Sequence, residues 1–224
     1  MCGRYADPDD EDIVEAFDVQ YVTGHKQPSG NVCPTQPVRI VVEDQAQAER
    51  EQTPLARELR LARWGLVPSW AKSLQARPLI NARSETVTVK PSFRAAAAKR
   101  RAIIPALGYY EWAVSPSGRK QPWFLQPEDG GILGFAGLYE WWHAPDGITM
   151  PGVNDDGWLC SCTIITRPAV DAAGQVHDRM PVSVPSDMVD QWLSPALSDL
   201  HQVDDLMAVM PTPSLVPILR SPIS

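Results

Sequence analysis

The sequence predicts an α+β fold: one domain over residues 1–224, with a mostly antiparallel, partly closed, barrel-like β-sheet and flanking short helices. Three observations predict it. Apolar and β-branched runs of strand length recur along the chain. The helical patterns are few, short and set between those runs. The 22 prolines and 14 glycines are dispersed rather than gathered at a linker, and no internal repeat divides the chain.

The elements follow in order. Asp9, Asp10, Glu11 and Asp12 suit the positive end of a helix dipole, and Ile13, Ala16 and Phe17 then fall on one side, which makes a short helix. Residues 38–42 read as a strand, and the polar, glutamine-rich stretch 43–54 reads as a loop or hairpin tip. Leu59, Leu61 and Arg63 alternate with Arg60, Ala62 and Trp64 ahead of Gly65 and Pro68, a strand running into a structured turn. Pro91, Ser92 and Phe93 open a helix through the alanines 95–98, and Lys99, Arg100 and Arg101 end it where cations complement the carbonyl end. Strands are expected at 102–104, 109–114, 123–126, 132–139 and 159–166, with residues 115–118 as a hairpin turn. Short helices are expected at 168–173, at 187–193 with Ser186 as N-cap, and at 198–209.

Composition narrows the function classes. With 44% hydrophobic and 21% charged residues the proportions are those of a globular protein. Uncharged stretches such as 130–139 fall short of the roughly 20 apolar residues that span a bilayer, so no membrane role is expected. The opening residues lack the pattern of an export signal, and the expected location is the cytoplasm, at the nucleoid when bound to DNA. Cys2, Cys33, Cys160 and Cys162 are too few for a disulfide scaffold and suit a reducing compartment. Cys160 and Cys162 share one face of a strand and are expected to pack as small hydrophobes; neither a metal nor any other cofactor is expected. The net charge is −7, yet residues 57–104 hold eleven Lys and Arg against two acids, a local +9, while the remainder carries −16. Such asymmetry can create a positive face that answers a phosphate backbone.

The most informative position is Cys2. A small second residue allows removal of the initiator methionine, which leaves a thiol and a free α-amine on adjacent carbons. The amine titrates at ~7.7 to 8.0 and the thiol at ~8.5, so useful fractions of both nucleophiles exist at neutral pH. Such a 1,2-aminothiol can attack an amide, as in N-terminal-nucleophile hydrolases, or condense with an aldehyde to a Schiff base that the thiol closes into a thiazolidine. A retained Met1 would leave the amine acylated and block the second route.

Cys2 does not stand alone. The runs Met1-Cys2-Gly3-Arg4-Tyr5, Asn31-Val32-Cys33-Pro34, Arg63-Trp64-Gly65-Leu66-Val67-Pro68-Ser69-Trp70, Asn81-Ala82-Arg83-Ser84-Glu85, Tyr109-Tyr110-Glu111-Trp112 and His177-Asp178-Arg179-Met180-Pro181 together resemble the SOS-response-associated peptidase family of abasic-site processing proteins. The resemblance covers about residues 2–195; the route of 196–224 is open, and Leu107 stands where the family commonly has an acid.

The resemblance implies a monomeric protein that binds single-stranded DNA containing abasic sites. It would capture the ring-opened sugar aldehyde on Cys2 as a thiazolidine crosslink, cleave its own terminal peptide bond, and cleave the strand as a lyase. It implies Cys2, Asn81, Glu111 and His177 as the catalytic set. Asn81 would hold the amine or sugar without adding charge, Glu111 would shuttle protons, and His177 would assist ring opening or strand cleavage. Arg4 and Arg83 are implied as phosphate clamps, with Thr166 and Arg179 as weaker candidates for that task. Trp70 and Pro34 are implied as apolar contacts to exposed bases, with burial in the core as the competing reading for Trp70; Trp64 is placed in the core. Glu140, in Tyr139-Glu140-Trp141-Trp142, echoes the Glu111 motif, and the resemblance selects Glu111. The alternative function is an amidohydrolase of the glutamine-amidotransferase type, which also begins Met-Cys-Gly. A third, non-catalytic single-strand binder would be reversible by salt.

Overall fold

The computed structural model describes residues 2–74, 77–115, 117–145 and 152–220. The chain runs β1 (Arg4–Ala6), α1 (Asp10–Phe17), β2 (Tyr21–Val22), β3 (Pro37–Glu43), α2 (Gln45–Glu51), β4 (Arg57–Trp64), β5 (Asn81–Arg83), α3 (Arg94–Lys99), β6 (Arg101–Ala106), β7 (Gly108–Val114), β8 (Lys120–Pro127), β9 (Leu133–His143), β10 (Trp158–Pro168), α4 (Asp171–Val176), β11 (Arg179–Pro181), α5 (Val189–Leu193), α6 (Leu200–Val209) and β12 (Leu215–Leu219).

Five strands form a closed barrel. β10, β9, β6, β3 and β4 pair antiparallel in that order, and a parallel contact of β4 with β10, Arg63 opposite Ser161 and Trp64 opposite Cys162, joins the ends. Closure is therefore complete rather than partial, and the sheet is mixed. Alternation along each strand divides two cores. Val38, Ile40, Val42, Ala62, Trp64, Ala102, Ile104, Phe135, Tyr139, Cys160 and Cys162 fill one, and Val41, Leu59, Ile103, Ala136, Leu138 and Ile165 fill the other beneath the helices. Both faces of the barrel wall are thus buried, which is why its strands read as continuous apolar runs. The expectation for Cys160 and Cys162 holds: both are buried, and burial pushes the Cys160 thiol up to about 12.

A second sheet, in the order β1, β7, β8 and β12, carries the beginning and end of the described chain. β12 pairs antiparallel with β8, which answers the open route of the C-terminal segment. Gly108 lets β7 start close against β8; a Cβ there would lie 2.5 Å from the Leu125 carbonyl oxygen. The β7–β8 connection keeps its hairpin hydrogen bonds, Ser115 N–H to Arg119 O at 2.8 Å and Gly118 N–H to Ser115 O at 2.8 Å, while Pro116 of the expected turn lies outside the described residues.

Several boundaries move. The stretch expected as a loop holds α2, capped by the Asp44 carboxylate on Gln47 N–H and braced by Gln45–Glu49 and Gln47–Glu51 contacts; it buries no residue, so it has no apolar stripe to read. The helix expected at 168–173 begins at Asp171, because β10 runs on to Pro168. Ser186 opens a 3-10 turn without a side-chain cap, and the helix expected from 198 begins at Leu200, capped by Asp199. Arg101 is already strand, yet its buried guanidinium donates to Ala97 O, Ala98 O, Trp192 O and Ser194 O, satisfying carbonyls at the ends of α3 and α5.

One buried ion network fixes the chain just after β1. Asp7 and Arg39 are each almost fully buried; Arg39 Nη1 donates to Asp7 Oδ2 at 2.7 Å, Lys26 Nζ approaches the same oxygen at 2.7 Å, and Arg39 Nε also reaches Asp10. Breaking such a cluster from one side leaves an undercompensated buried charge. Arg39→Ala is expected to lower unfolding free energy by about 3–5 kcal/mol in urea titration. A change within about 0.5 kcal/mol would show that Lys26 alone holds Asp7.

Candidate functional site

The second sheet draws the N-terminal segment inward. β1 pairs with β7, Arg4 opposite Tyr110, Tyr5 opposite Tyr109 and Ala6 opposite Gly108. Tyr5 exchanges backbone hydrogen bonds with Val32 at 3.3 and 2.8 Å, and its ring meets Trp64 edge-on at 5.4 Å. Cys2 is consequently fully buried, and Asn81 Nδ2 donates to its carbonyl oxygen at 2.8 Å. Asn81 reaches it from β5, which lies parallel to β10 with Asn81 opposite Ile164. Its Oδ1 is buried and has no protein partner among the described residues, an acceptor facing inward.

Glu111, on β7, is 3% exposed. Burial raises its carboxyl above the ordinary range, and His177 opposes the shift. His177 Nε2 stands 3.9 Å from Glu111 Oε2, beyond direct hydrogen-bond length but within reach of one bridging atom. Its Nδ1 lies 2.8 Å from Asp178 Oδ1 and 3.0 Å from the Arg179 backbone N–H. The Cys2 thiol is pushed up by burial and then by the Glu111 carboxylate, which places those groups in one electrostatic neighbourhood. The segment before β1, strands β5 and β7, and the link between α4 and β11 thus bring Cys2, Asn81, Glu111 and His177 together. A nucleophile held by its own backbone, a proton-accepting carboxylate and an imidazole are the parts that amide hydrolysis or carbonyl condensation needs.

Around this cluster, Arg4 Nη1 donates to Asn31 Oδ1 at 3.3 Å, and its guanidinium lies over Trp112 at 5.8 Å. Arg83 is exposed at the end of β5, Pro34 is half-buried, and Trp70 is 63% exposed, so the core reading of Trp70 is set aside. Trp64 is in the core as expected, with its indole N–H on Ile80 O. Thr166 and Arg179, the weaker candidates for phosphate contact, are turned inward. Thr166 is fully buried, and the Arg179 guanidinium is turned inward onto Glu85 and the Thr166 carbonyl. They tie β10 and β11 together behind the site. The same pairing holds the Glu85 carboxyl down at about 2.

Glu140 is elsewhere: buried on β9, it accepts from Arg100 at 2.7 Å. The positive stretch also shrinks in three dimensions. Arg57, Arg60 and Arg101 are buried and bound internally and Arg63 and Arg100 are half-buried, leaving Lys72, Arg77, Arg83, Lys90, Arg94 and Lys99 exposed. Among the described residues no cluster of His, Cys, Asp and Glu is arranged to hold a metal ion, and no helix is long and apolar enough to cross a membrane.

Fold and site together define a closed-barrel protein that buries Cys2 among an amide, a carboxylate and an imidazole. The chain belongs to the SOS response associated peptidase (SRAP) family, whose sequence model matches residues 1–218. It is 35% identical over 211 residues to the abasic site processing protein YoqW of Bacillus subtilis, covering 92% of this chain and 86% of that one. It is 36% identical to YoaM of the same organism, covering 87% and 80%. The abasic site processing protein HMCES of Mus musculus is 29% identical over 64% of this chain and 49% of its own. A crystal structure from Bordetella bronchiseptica superposes with a TM-score of 0.77 over 98% of this chain and 100% of that one; at 24% identity it shows the fold alone.

Proposed function

We propose that this protein processes abasic sites by capturing the ring-opened deoxyribose aldehyde in single-stranded DNA as a thiazolidine on Cys2, after the same site has hydrolysed the Met1–Cys2 peptide bond. The observation that carries the reading is Cys2, held at its carbonyl by Asn81 beside buried Glu111, in a chain whose relatives are abasic site processing proteins.

The freed α-amine attacks C1′ of the aldehyde as the carbonyl oxygen takes one proton from solvent; Glu111 takes a second proton from the nitrogen and returns it to the carbinolamine hydroxyl, which leaves as water. The resulting protonated imine is attacked by sulfur. The thiol proton passes to Glu111 and from it back to solvent, the S–C1′ bond forms, and the C=N π pair returns to nitrogen. One water is lost overall and no oxidant is needed. Asn81 Oδ1 accepts from the amine and orients it. His177 assists opening of the sugar hemiacetal and, from the imine, removes a C2′ proton in the branch that cleaves the strand. Arg4 and Arg83 hold phosphates beside the lesion, and exposed Trp70 with Pro34 packs against unstacked bases. Cationic side chains at the mouth make the encounter dependent on salt, whereas the product is not.

Intact mass after incubation with an abasic oligonucleotide tests the whole sequence. The expected species has lost one methionine residue and gained the oligonucleotide less one water, and it survives denaturation. Complexes that dissociate on denaturation, or a protein mass still containing Met1 and no adduct, would leave only a reversible binder.

A further inference from the structure

We propose that Asn31 is a positioning residue that holds the Arg4 guanidinium, with its charge intact, ready for a phosphate beside the lesion. The inference deepens the phosphate-clamp reading above and rests on it.

It starts from how the arginines of this chain are fastened. Arg39, Arg57, Arg100 and Arg179 are each paired with a carboxylate, that of Asp7, Asp190 and Glu140 at 2.7 Å and that of Glu85 at 3.0 Å. Arg4 forms no ion pair among the described residues. Its Nη1 donates instead to Asn31 Oδ1 at 3.3 Å, and its guanidinium lies 5.8 Å from the centre of the Trp112 ring. A guanidinium carries only donors, so the oxygen of the amide is the end that faces it. An amide accepts that bond without cancelling the positive charge, and the aromatic face leaves the charge whole as well. Nε and Nη2 stay available for the paired bonds by which a guanidinium grips a phosphate.

The holder is itself fixed. Residue 31 lies in a segment laid along β1, where Tyr5 and Val32 exchange backbone hydrogen bonds and Asp7 N–H donates to Ser29 O at 3.0 Å. The Asn31 N–H donates to Ser29 Oγ at 3.2 Å, and the Tyr110 hydroxyl on β7 reaches across to Gly30 O at 2.9 Å. Arg4 stands opposite Tyr110 in the β1–β7 register, and Trp112 lies two residues further along β7 on the same face. A long side chain gives up rotamer freedom when it grips a phosphate, and one already held gives up less. Neutral Asn31 therefore supplies order without competing for the charge.

A double-mutant cycle on the full chain tests this, read as affinity for an undamaged single-stranded oligonucleotide by fluorescence anisotropy over a salt series. Asn31→Ala should weaken binding about threefold to tenfold in the parent, but less than about twofold in an Arg4→Ala background, where nothing is left to position. Asn31→Asp supplies the carboxylate that Arg4 lacks. It should weaken binding more than alanine does and, like Arg4→Ala, lower the slope of log affinity against log salt by about one. Circular dichroism should show every variant folded. Equal losses from Asn31→Ala in both backgrounds, with Arg4→Ala itself lowering the salt slope, would leave the clamp standing and remove Asn31 from it. An aspartate variant with the parental salt slope would do the same. Parental affinity and salt slope in Arg4→Ala would sink the clamp reading and this proposal together.

Discussion

Cys2→Ser is expected to lose the heat-stable DNA adduct entirely while still forming a transient one. Serine keeps the α-amine and its place beside Asn81 and Glu111, so attack on the aldehyde and loss of water proceed to the imine. The hydroxyl then replaces a thiol, whose sulfur is the stronger nucleophile once its proton is taken. Ring closure fails, and the imine returns to aldehyde or proceeds to strand cleavage. Borohydride should therefore trap the serine variant on DNA, while heating without reductant should release it. The parent should show the opposite dependence, being resistant to heat and gaining little from reductant. Because Cys2 is fully buried, a hydroxyl there costs about 1–3 kcal/mol if unpartnered, and circular dichroism must show the folded state before the gels are compared. Equal yields of heat-stable adduct from both proteins would remove sulfur from the chemistry, and with it the thiazolidine. Ammonia release from glutamine without DNA would instead support the amidohydrolase alternative.

How far the sequence reaches can be judged from particular residues. The strands of the barrel wall were legible because burial on both faces writes continuous apolar text, as at Val38 to Val42. Closure was not, because it depends on the parallel contact of Arg63 and Trp64 with Ser161 and Cys162, and strand pairing across about a hundred residues leaves no local mark. The short α2 escaped because it buries nothing. Arginines were the least legible residues. Arg39 and Arg101 are interior groups that satisfy Asp7 and helix-end carbonyls, Arg179 turns inward onto Glu85, and Arg83 is exposed; the one-letter code is identical in all four cases. Cys2, Asn81, Glu111 and His177 could be named together only through their motifs, since physical reasoning on any one favours a structural role. Their convergence is tertiary, made by the β1–β7 register and by β5 lying against β10.

Glu111→Gln should slow crosslinking by about 10²–10⁴-fold without loss of the fold. Glutamine preserves the shape and hydrogen-bonding reach of the side chain but cannot take a proton from the attacking amine or from the thiol. The pH dependence carries more information than the rate itself. In the parent, Glu111 must be ionised to accept the first proton, and burial raises its carboxyl above the ordinary value of about 4.3. The crosslinking rate should therefore climb with pH along a limb centred above that value, and the limb should be missing from the glutamine variant, leaving only the deprotonation of the amine. Linkage gives the stability a matching sign. A carboxyl whose folded pKa exceeds its unfolded one binds its proton more tightly in the native state, so its contribution is most favourable below the unfolded value and is lost as pH rises through the folded value. At neutral pH the ionised Glu111 is a cost to the fold that glutamine does not bear, so the variant should melt at the same temperature as the parent or higher. A variant that melts lower and crosslinks slowly would place Glu111 in the architecture. One that melts normally and crosslinks at the parental rate, with the acid limb intact, would move the proton transfer to another group in the pocket, with His177 the next to test.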